Sequence, residues 1–282
     1  MKTFLQKIFD RSRDIAASSH EDFDFVAVGF PKTGNTWVRF MLGRYIQLAH
    51  GLDALPLFDP VEMQALRDGG YSGPTGAFTH EPLTWETQTA AELSRRNVIA
   101  PYRDKKVIFL ARHPLDTIVS HYMNMKYKVQ DPYPNHLSDF VRDPVFGLDK
   151  LFRFYELWAE CHSEIRGFHL VRYEDMKHAP HEELSKILEF LGQTVRESDV
   201  GGAVSFASFD NLKALESSGT PVIYQSSGFA VFGPRANDHD NPNAHHVRKG
   251  KVGGYRTEFS EEECEYYEAQ VKLRMPQFFG YA

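Results

Sequence analysis

The sequence predicts an α/β fold in which a central parallel sheet is flanked by helices on both faces. Two observations carry that expectation. Apolar runs near residues 25, 107 and 168 read as strands, and the run Lys106-Val-Ile-Phe-Leu-Ala111 is continuous enough to be buried on both faces, as parallel strands are. Segments with apolar residues at helical spacing alternate with these runs, the arrangement of right-handed strand-helix-strand units. At 282 residues and 42% apolar content, the chain is read as a single domain over 1–282.

Charge and composition exclude several classes. A net charge of −6 gives no reason to expect nucleic acid as a partner. Cys161 and Cys264 lack metal-ligand spacing, and His239, His245 and His246 fall in a polar Asn/Asp/Pro stretch that reads as a solvated loop. No metal is therefore expected. Residues 1–20 lack the continuous apolar region of a signal peptide, no stretch approaches a membrane span, and the cytoplasm is the expected compartment. Phe4, Leu5, Ile8 and Phe9 have the spacing of a short amphipathic helix packed on the domain.

The first strand breaks into Gly29-Phe-Pro-Lys-Thr-Gly-Asn-Thr-Trp37. Gly34 lacks a Cβ, so the backbone there can curl with positive φ and turn successive N–H groups inward. The helix start that follows adds unpaired N–H donors and a positive dipole end, and such a concavity suits a phosphate. A nucleotide-triphosphate loop, G-x-x-x-x-G-K-[ST], would carry its lysine where Asn35 stands. Here the charge sits inside the loop on Lys32, within reach of the bridging oxygen at which a leaving group develops charge. Trp37, Phe40, Met41, Tyr45 and Leu48 then continue at helical intervals.

Residues 51–82 are rich in Gly and Pro, with a short helix expected around 60–67, and end in Ala77-Phe-Thr-His-Glu-Pro-Leu83. Residues 87–97 read as a short polar helix. The strand over 106–111 ends at Arg112, and Pro114 falls in a first helical turn, where its missing N–H costs nothing. Asp116 and Ser120 share one helix face with Arg112 at its head. A guanidinium and a hydroxyl converging at a strand's carboxyl end suit a phosphate monoester, with Asp116 orienting Arg112. Residues 127–144 read as a loop and short helix forming a lid over an acceptor site, and 151–161 as a helix with an aromatic core stripe. A strand over 167–172 leads to Tyr173-Glu174-Asp175, for which a catalytic acid pair is the competing reading. An amphipathic helix over 181–192 closes on Gly192. Residues 217–246 have no clear period and read as an acceptor-side loop, before the basic run Arg248-Lys249-Gly250.

Pro31–Trp37, Ala77–Leu83, Arg112…Asp116…Ser120, Tyr173-Glu174-Asp175, Ala207-Ser-Phe-Asp-Asn-Leu-Lys213 and Arg248–Tyr255 resemble, in order, the motifs of the cytosolic-type sulfotransferases. Those enzymes move a sulfuryl group from 3′-phosphoadenosine 5′-phosphosulfate (PAPS) to an acceptor and release adenosine 3′,5′-bisphosphate (PAP). The resemblance spans about residues 24–260 and implies a P-loop-like three-layer fold. It implies that Lys32, Thr33, Gly34, Asn35 and Thr36 cradle the 5′-phosphosulfate, that Trp37, Tyr173 and Phe209 hold the adenine, and that Arg112, Ser120, Arg248, Lys249 and Gly250 hold the 3′-phosphate. His80 takes the general-base position, and Ser120 is implied to hold Lys32 idle until an acceptor arrives.

Some positions depart from the family pattern. Phe78 replaces a lysine, so a second cation is missing or supplied from elsewhere; Ala207 replaces a threonine; Gly254 and Tyr255 replace Asp and Trp. Ser260-Glu261 interrupts the dimerisation pattern, and the oligomeric state does not follow. The implied reaction needs no metal and uses a hydroxyl, or secondarily an amine, of a small acceptor. Aromatic residues in the expected lids point to an apolar or aromatic alcohol. Two alternatives stay open: a Mg²⁺-dependent nucleotide or small-molecule kinase of the same fold class, and a non-catalytic protein that only binds the donor or its product.

Overall fold

Strands β1 (Phe25–Gly29), β2 (Gly76–Thr79), β3 (Lys106–Ala111) and β4 (Gly167–Arg172) pair in parallel in the order β2-β1-β3-β4. The computed structural model describes residues 23–80, 88–95, 100–129, 131–219, 222–223, 230–233 and 241–282. Helices α1 (Asn35–His50), α2 (Pro60–Asp68), α3 (Pro114–Tyr127), α4 (Leu137–Arg142), α5 (Leu148–Cys161), α6 (Tyr173–His178), α7 (Pro180–Phe190), α8 (Glu197–Phe206), α9 (Phe209–Ser217) and α10 (Glu261–Arg274) surround the sheet. A small antiparallel pair, β5 (Val222–Ile223) and β6 (Ala230–Phe232), stands apart from it.

Side chains alternate across the two central strands, as a pleated strand requires. Phe25, Ala27, Ile108 and Leu110 enter a core with residues of α1, α7 and α8. Val26, Val28, Val107 and Phe109 enter a second core with residues of α3, α4, α5 and α10. The result is the three-layer arrangement expected, and burial on both faces is the reason these strands carry almost no polar residue. Phe109 is the hub of the second core: the rings of Phe154, Tyr155, Trp158, Phe168 and Phe279 all lie within 6.0 Å of its own.

Local chemistry sets several boundaries. Asp59 caps α2 in a capping box with Glu62, with Pro60 in the first turn; Ser260 and Glu263 do the same for α10. Pro114 opens α3 as expected. Strand β2 was not anticipated, because four residues beginning Gly76-Ala77 carry little strand propensity and sit among Gly and Pro. The expected helix over 87–97 is a single 3₁₀ turn, Ala90–Glu92, among the described residues. The stretch expected as a loop and short helix holds α4, whose fully buried Phe140 packs edge-on against Tyr122 and Tyr133. The amphipathic stretch expected within residues 1–20 and much of the 217–246 loop lie outside the described residues.

Phe109→Ala is expected to cost about 3–5 kcal/mol by emptying the ring cluster. Urea unfolding followed by tryptophan fluorescence checks this, since Trp158 lies 5.0 Å from Phe109, ring to ring.

Candidate active site

Each strand of the sheet delivers a different group at its carboxyl end. β2 ends at His80, β1 runs into the Lys32–Gly34 loop, β3 ends at Arg112 and β4 at Tyr173. Neighbouring parallel strands stand about 4.8 Å apart, so these four groups line one edge of the sheet. Ligands of open α/β sheets bind along this edge.

The β1–α1 loop has the form of an anion cradle. Gly34 has φ 111°, and no side chain caps α1, which leaves first-turn N–H groups to an incoming anion. Lys32 also lies in the left-handed region, at φ 73°, a strained conformation of the kind found where function requires it. Buried Thr33 donates its hydroxyl to the Phe30 carbonyl at 2.7 Å and its N–H to the same oxygen at 3.3 Å, which braces the loop. The Asn35 side chain donates to the Thr79 carbonyl at 3.2 Å and ties α1 to β2. Thr36 is the second residue of α1.

Arg112 joins this loop to the other end of the sequence. Its guanidinium donates to the Lys32 carbonyl at 3.1 Å and to the Lys251 carbonyl at 3.3 Å, and lies 4.2 Å from the centre of the Tyr173 ring. Its Nε is buried without a hydrogen-bond partner. The expected Arg112–Asp116 contact does not form. Asp116 instead accepts from the N–H groups of Gly253 at 2.7 Å and Tyr255 at 3.0 Å, so it fastens the segment after Gly250 to α3. The aspartate was assigned to the nearest cation in sequence; its true partners are remote backbone donors. Glu174 is likewise structural, accepting from the His113 N–H and the Tyr281 hydroxyl.

Arg248 and Lys249 both pair with Glu258, at 3.0 and 2.6 Å. Gly250, at φ 57°, lies flat against Phe209: a Cβ there would come within 2.6 Å of the ring. Trp37 donates its indole N–H to the Ala207 carbonyl at 2.9 Å and meets Tyr173 edge-on at 5.5 Å. The chain thus brings Trp37, Tyr173 and the Ala207–Phe209 turn together with the basic run.

His80 is held by Nδ1, 2.8 Å from the Gly29 carbonyl. A carbonyl can only accept, so Nδ1 carries the proton and Nε2 keeps a lone pair. Burial, opposed in part by that bond, lowers the His80 pKa to about 4; nearby Arg39 and Lys32 push the same way. Burial also lowers Lys32 to about 8, reinforced by Arg112. Sequence reading missed Arg39. It is buried, donates to the Phe78 carbonyl at 3.3 Å and lies 4.9 Å over the Phe78 ring, which returns a cation to the neighbourhood where Phe78 removed one. The signal was present as a charge inside the apolar run Val38-Arg39-Phe40-Met41-Leu42.

Ser120 and Lys32 line one narrow hollow, together with Asn124, Lys128 and Arg248, but no hydrogen bond joins Ser120 to Lys32 among the described residues. Of the histidines expected in a solvated loop, His245 and His246 are drawn inward, and His239 lies outside the described residues. Glu216, fully buried, accepts from the His246 N–H at 2.6 Å and the Val247 N–H at 3.0 Å, and Lys128 lies 2.6 Å from His246 Nδ1. Lys128 and Glu216 were also missed by sequence reading, being 88 residues apart. Among the described residues no group of three or more His, Cys, Asp or Glu is arranged to hold a metal, and no helix is long and apolar enough to cross a membrane. A larger cavity, about 450 Å³, opens between Phe23, Pro74, Lys106 and Arg166 at the strands' amino ends, away from all of these groups.

Residues 22–279 match the family model described as Sulfotransferase domain. Sulfotransferase 1A1 of Canis lupus familiaris is 25% identical over 283 residues, covering 92% of this chain and 88% of the relative. Sulfotransferase 2A1 of Rattus norvegicus is 23% identical over 277 residues, covering 92% and 86%. Among solved structures, mouse sulfotransferase SULT7A1 complexed with PAP aligns with a TM-score of 0.60 at 21% identity, over 92% of this chain and 88% of the other. Retinol dehydratase in complex with androsterone and inactive cofactor PAP aligns with a TM-score of 0.58 at 18% identity, over 89% and 80%.

Asp116→Ala is expected to leave the N–H groups of Gly253 and Tyr255 unpaired and to cost roughly 1–3 kcal/mol in urea unfolding. The same variant should weaken PAP binding in calorimetry although Asp116 faces backbone; unchanged stability and affinity would remove its fastening role.

Proposed function

The chain belongs to the sulfotransferase domain family, and on that premise we propose that it transfers a sulfuryl group from PAPS to a hydroxyl of a small acceptor, releasing PAP. The observation that carries this reading is the Arg112 guanidinium, which spans the Lys32 and Lys251 carbonyls and so draws two basic, backbone-rich segments to one strand end. That donor set fits a nucleotide phosphorylated at both ends. The N–H groups of Gly34, Asn35 and Thr36 with Lys32 suit the 5′-phosphosulfate. Arg112, Ser120, Arg248, Lys249 and the Gly250 backbone suit the 3′-phosphate, whose oxygens match the guanidinium fork. Trp37, Tyr173 and Phe209 offer rings to the adenine. Thr33 contributes by stiffening the loop.

PAPS supplies an activated sulfuryl group; the chain supplies position, a base and charge. In the proposed step the acceptor oxygen bonds to sulfur as the bond from sulfur to the bridging phosphate oxygen breaks. The hydroxyl proton passes to His80 Nε2, and the negative charge left on PAP is met by Lys32 and the first-turn N–H groups. The tautomer needed is the one favoured by the Gly29 carbonyl. Burial keeps His80 neutral at physiological pH, ready to accept a proton, while Lys32 remains mostly charged. In the proposal the positive charge at the phosphates comes from Lys32, Arg112, Arg248 and Lys249 rather than from a metal. The reaction is assigned to the cytoplasm, where the donor is made.

Transfer of label from sulfur-labelled PAPS into a metabolite extract tests the reading; no transfer together with no PAP binding would sink it. His80→Ala should lower kcat by roughly 10²–10⁴-fold while PAP affinity stays unchanged. Arg112→Met should do the reverse, weakening PAP first. The pH profile of kcat/KM should be a bell: His80 must be neutral, so activity falls as pH drops through about 4, and Lys32 must be charged, so activity falls as pH rises through about 8. An acid limb near the ordinary histidine value would reassign the base.

A further inference from the structure

Two side chains on one face of α1 grip the strand that ends in His80. Asn35 and Arg39 are the first and fifth residues of the helix, about one turn apart, and both are buried. The Asn35 amide donates to the Thr79 carbonyl at 3.2 Å, and the Arg39 guanidinium donates to the Phe78 carbonyl at 3.3 Å while lying over the Phe78 ring. These are the last two carbonyls of β2. That strand has four residues and stands at the edge of the sheet, where only β1 pairs with it among the described residues. So short an edge strand gains little order from its own ladder, and α1 supplies further attachment at the end that carries the histidine.

The same contacts reach the imidazole. His80 Nδ1 lies 2.8 Å from the Gly29 carbonyl and 3.4 Å from the Asn35 amide nitrogen. The carbonyl is the closer and can only accept, so Nδ1 keeps its proton and the amide donates to Thr79 instead. Space for the amide exists because residue 29 is glycine: a Cβ there would lie 2.9 Å from Asn35 Oδ1 and 2.4 Å from the Thr33 hydroxyl. Gly29, Asn35 and His80 thus interlock at the end of β1, the start of α1 and the end of β2. The charged and titratable groups acting on the ring are Arg39 from α1, Lys32 from the β1–α1 loop and His121 from α3, the last held neutral by burial, which lowers it to about 3.

We propose that Asn35 and Arg39 are positioning residues for His80: by holding the end of β2 they keep its ring in one tautomer and at one reach from the β1–α1 loop at the head of the same helix. This rests on the sulfotransferase reading above and deepens it, because base and donor cradle then form a single rigid unit. Such a link matters where a misplacement of about 1 Å can cost roughly 10²-fold in rate.

The test follows His80 by nuclear magnetic resonance on the full chain carrying isotope-labelled histidine, its signals identified by their loss in His80→Gln. Wild type is expected to show the Nδ1–H tautomer and to take up a proton only as pH falls to about 4. Arg39→Met removes a positive charge acting on the ring and one of the two grips, so the ring should bind a proton about tenfold more tightly. In that variant kcat should fall about tenfold while PAP affinity stays within about twofold of wild type. Arg39→Lys, which keeps a charge and a donor, should restore most of both properties. Should Arg39→Met fold poorly, Asn35→Ala takes its place: it keeps the backbone N–H of the cradle and should raise the pH at which the ring titrates and mix its tautomers. A titration and tautomer unchanged in the variants overturns the proposal, as does a kcat that falls only in step with PAP affinity. The resonance measurement needs neither donor nor acceptor. The expected shifts together with full turnover by His80→Ala would uphold the grip on the ring and reject the histidine as base, which is a failure of the underlying reading instead.

Discussion

The site depends on one cation placed between two carbonyls. Arg112 ends the central strand β3, and its two terminal nitrogens reach the Lys32 carbonyl in the β1–α1 loop and the Lys251 carbonyl far along the chain. Without that bridge, the β1–α1 loop and the basic run would be separate surface features. The bridge is itself held in place. Tyr155 exchanges hydrogen bonds with the Arg112 backbone, donating to its carbonyl at 3.0 Å and accepting from its N–H at 2.9 Å, and the Tyr173 ring covers the guanidinium. Parallel pairing of β3 with β1 then fixes Arg112 one strand from the loop it must meet.

Low polarity around the loop gives the chemistry its direction. Lys32 and His80 are both shifted toward their neutral forms by burial, and each positive charge near them adds to the shift. For His80 this favours the state that can take a proton. For Lys32 it raises the cost of the ammonium form, which an anion bound in the proposed way would relieve.

The parts of this arrangement legible in the sequence were local ones. β3 was visible as an unbroken apolar run, and Gly34, Arg112 and Arg248 were visible because their motifs are contiguous or spaced by one helical turn. β2 was hidden by its brevity. The partners of Asp116 were hidden by distance, since its hydrogen bond to the Gly253 N–H joins residues 137 positions apart and uses backbone, which has no compositional signature. The inward histidines were misread for the same reason: His246 looks solvated beside Asn, Asp and Pro, and only the fold brings Glu216 and Lys128 to it. Arg39 was overlooked because a cation within an apolar helix stripe reads as a solvent-reaching side chain until its target carbonyl on β2 is known.

Glu258 bonds to both Arg248 and Lys249 and is itself held below the usual carboxylate range by those two cations, against the opposing effect of burial. It serves as a resident placeholder, keeping the basic segment from repelling Lys32 and Arg112 when nothing else is bound. On the function proposed above, arrival of a phosphate is an exchange of one anion for another rather than capture by bare charge. Part of the attraction is surrendered at entry and recovered at departure, so the same carboxylate that tempers affinity also helps a spent nucleotide to leave.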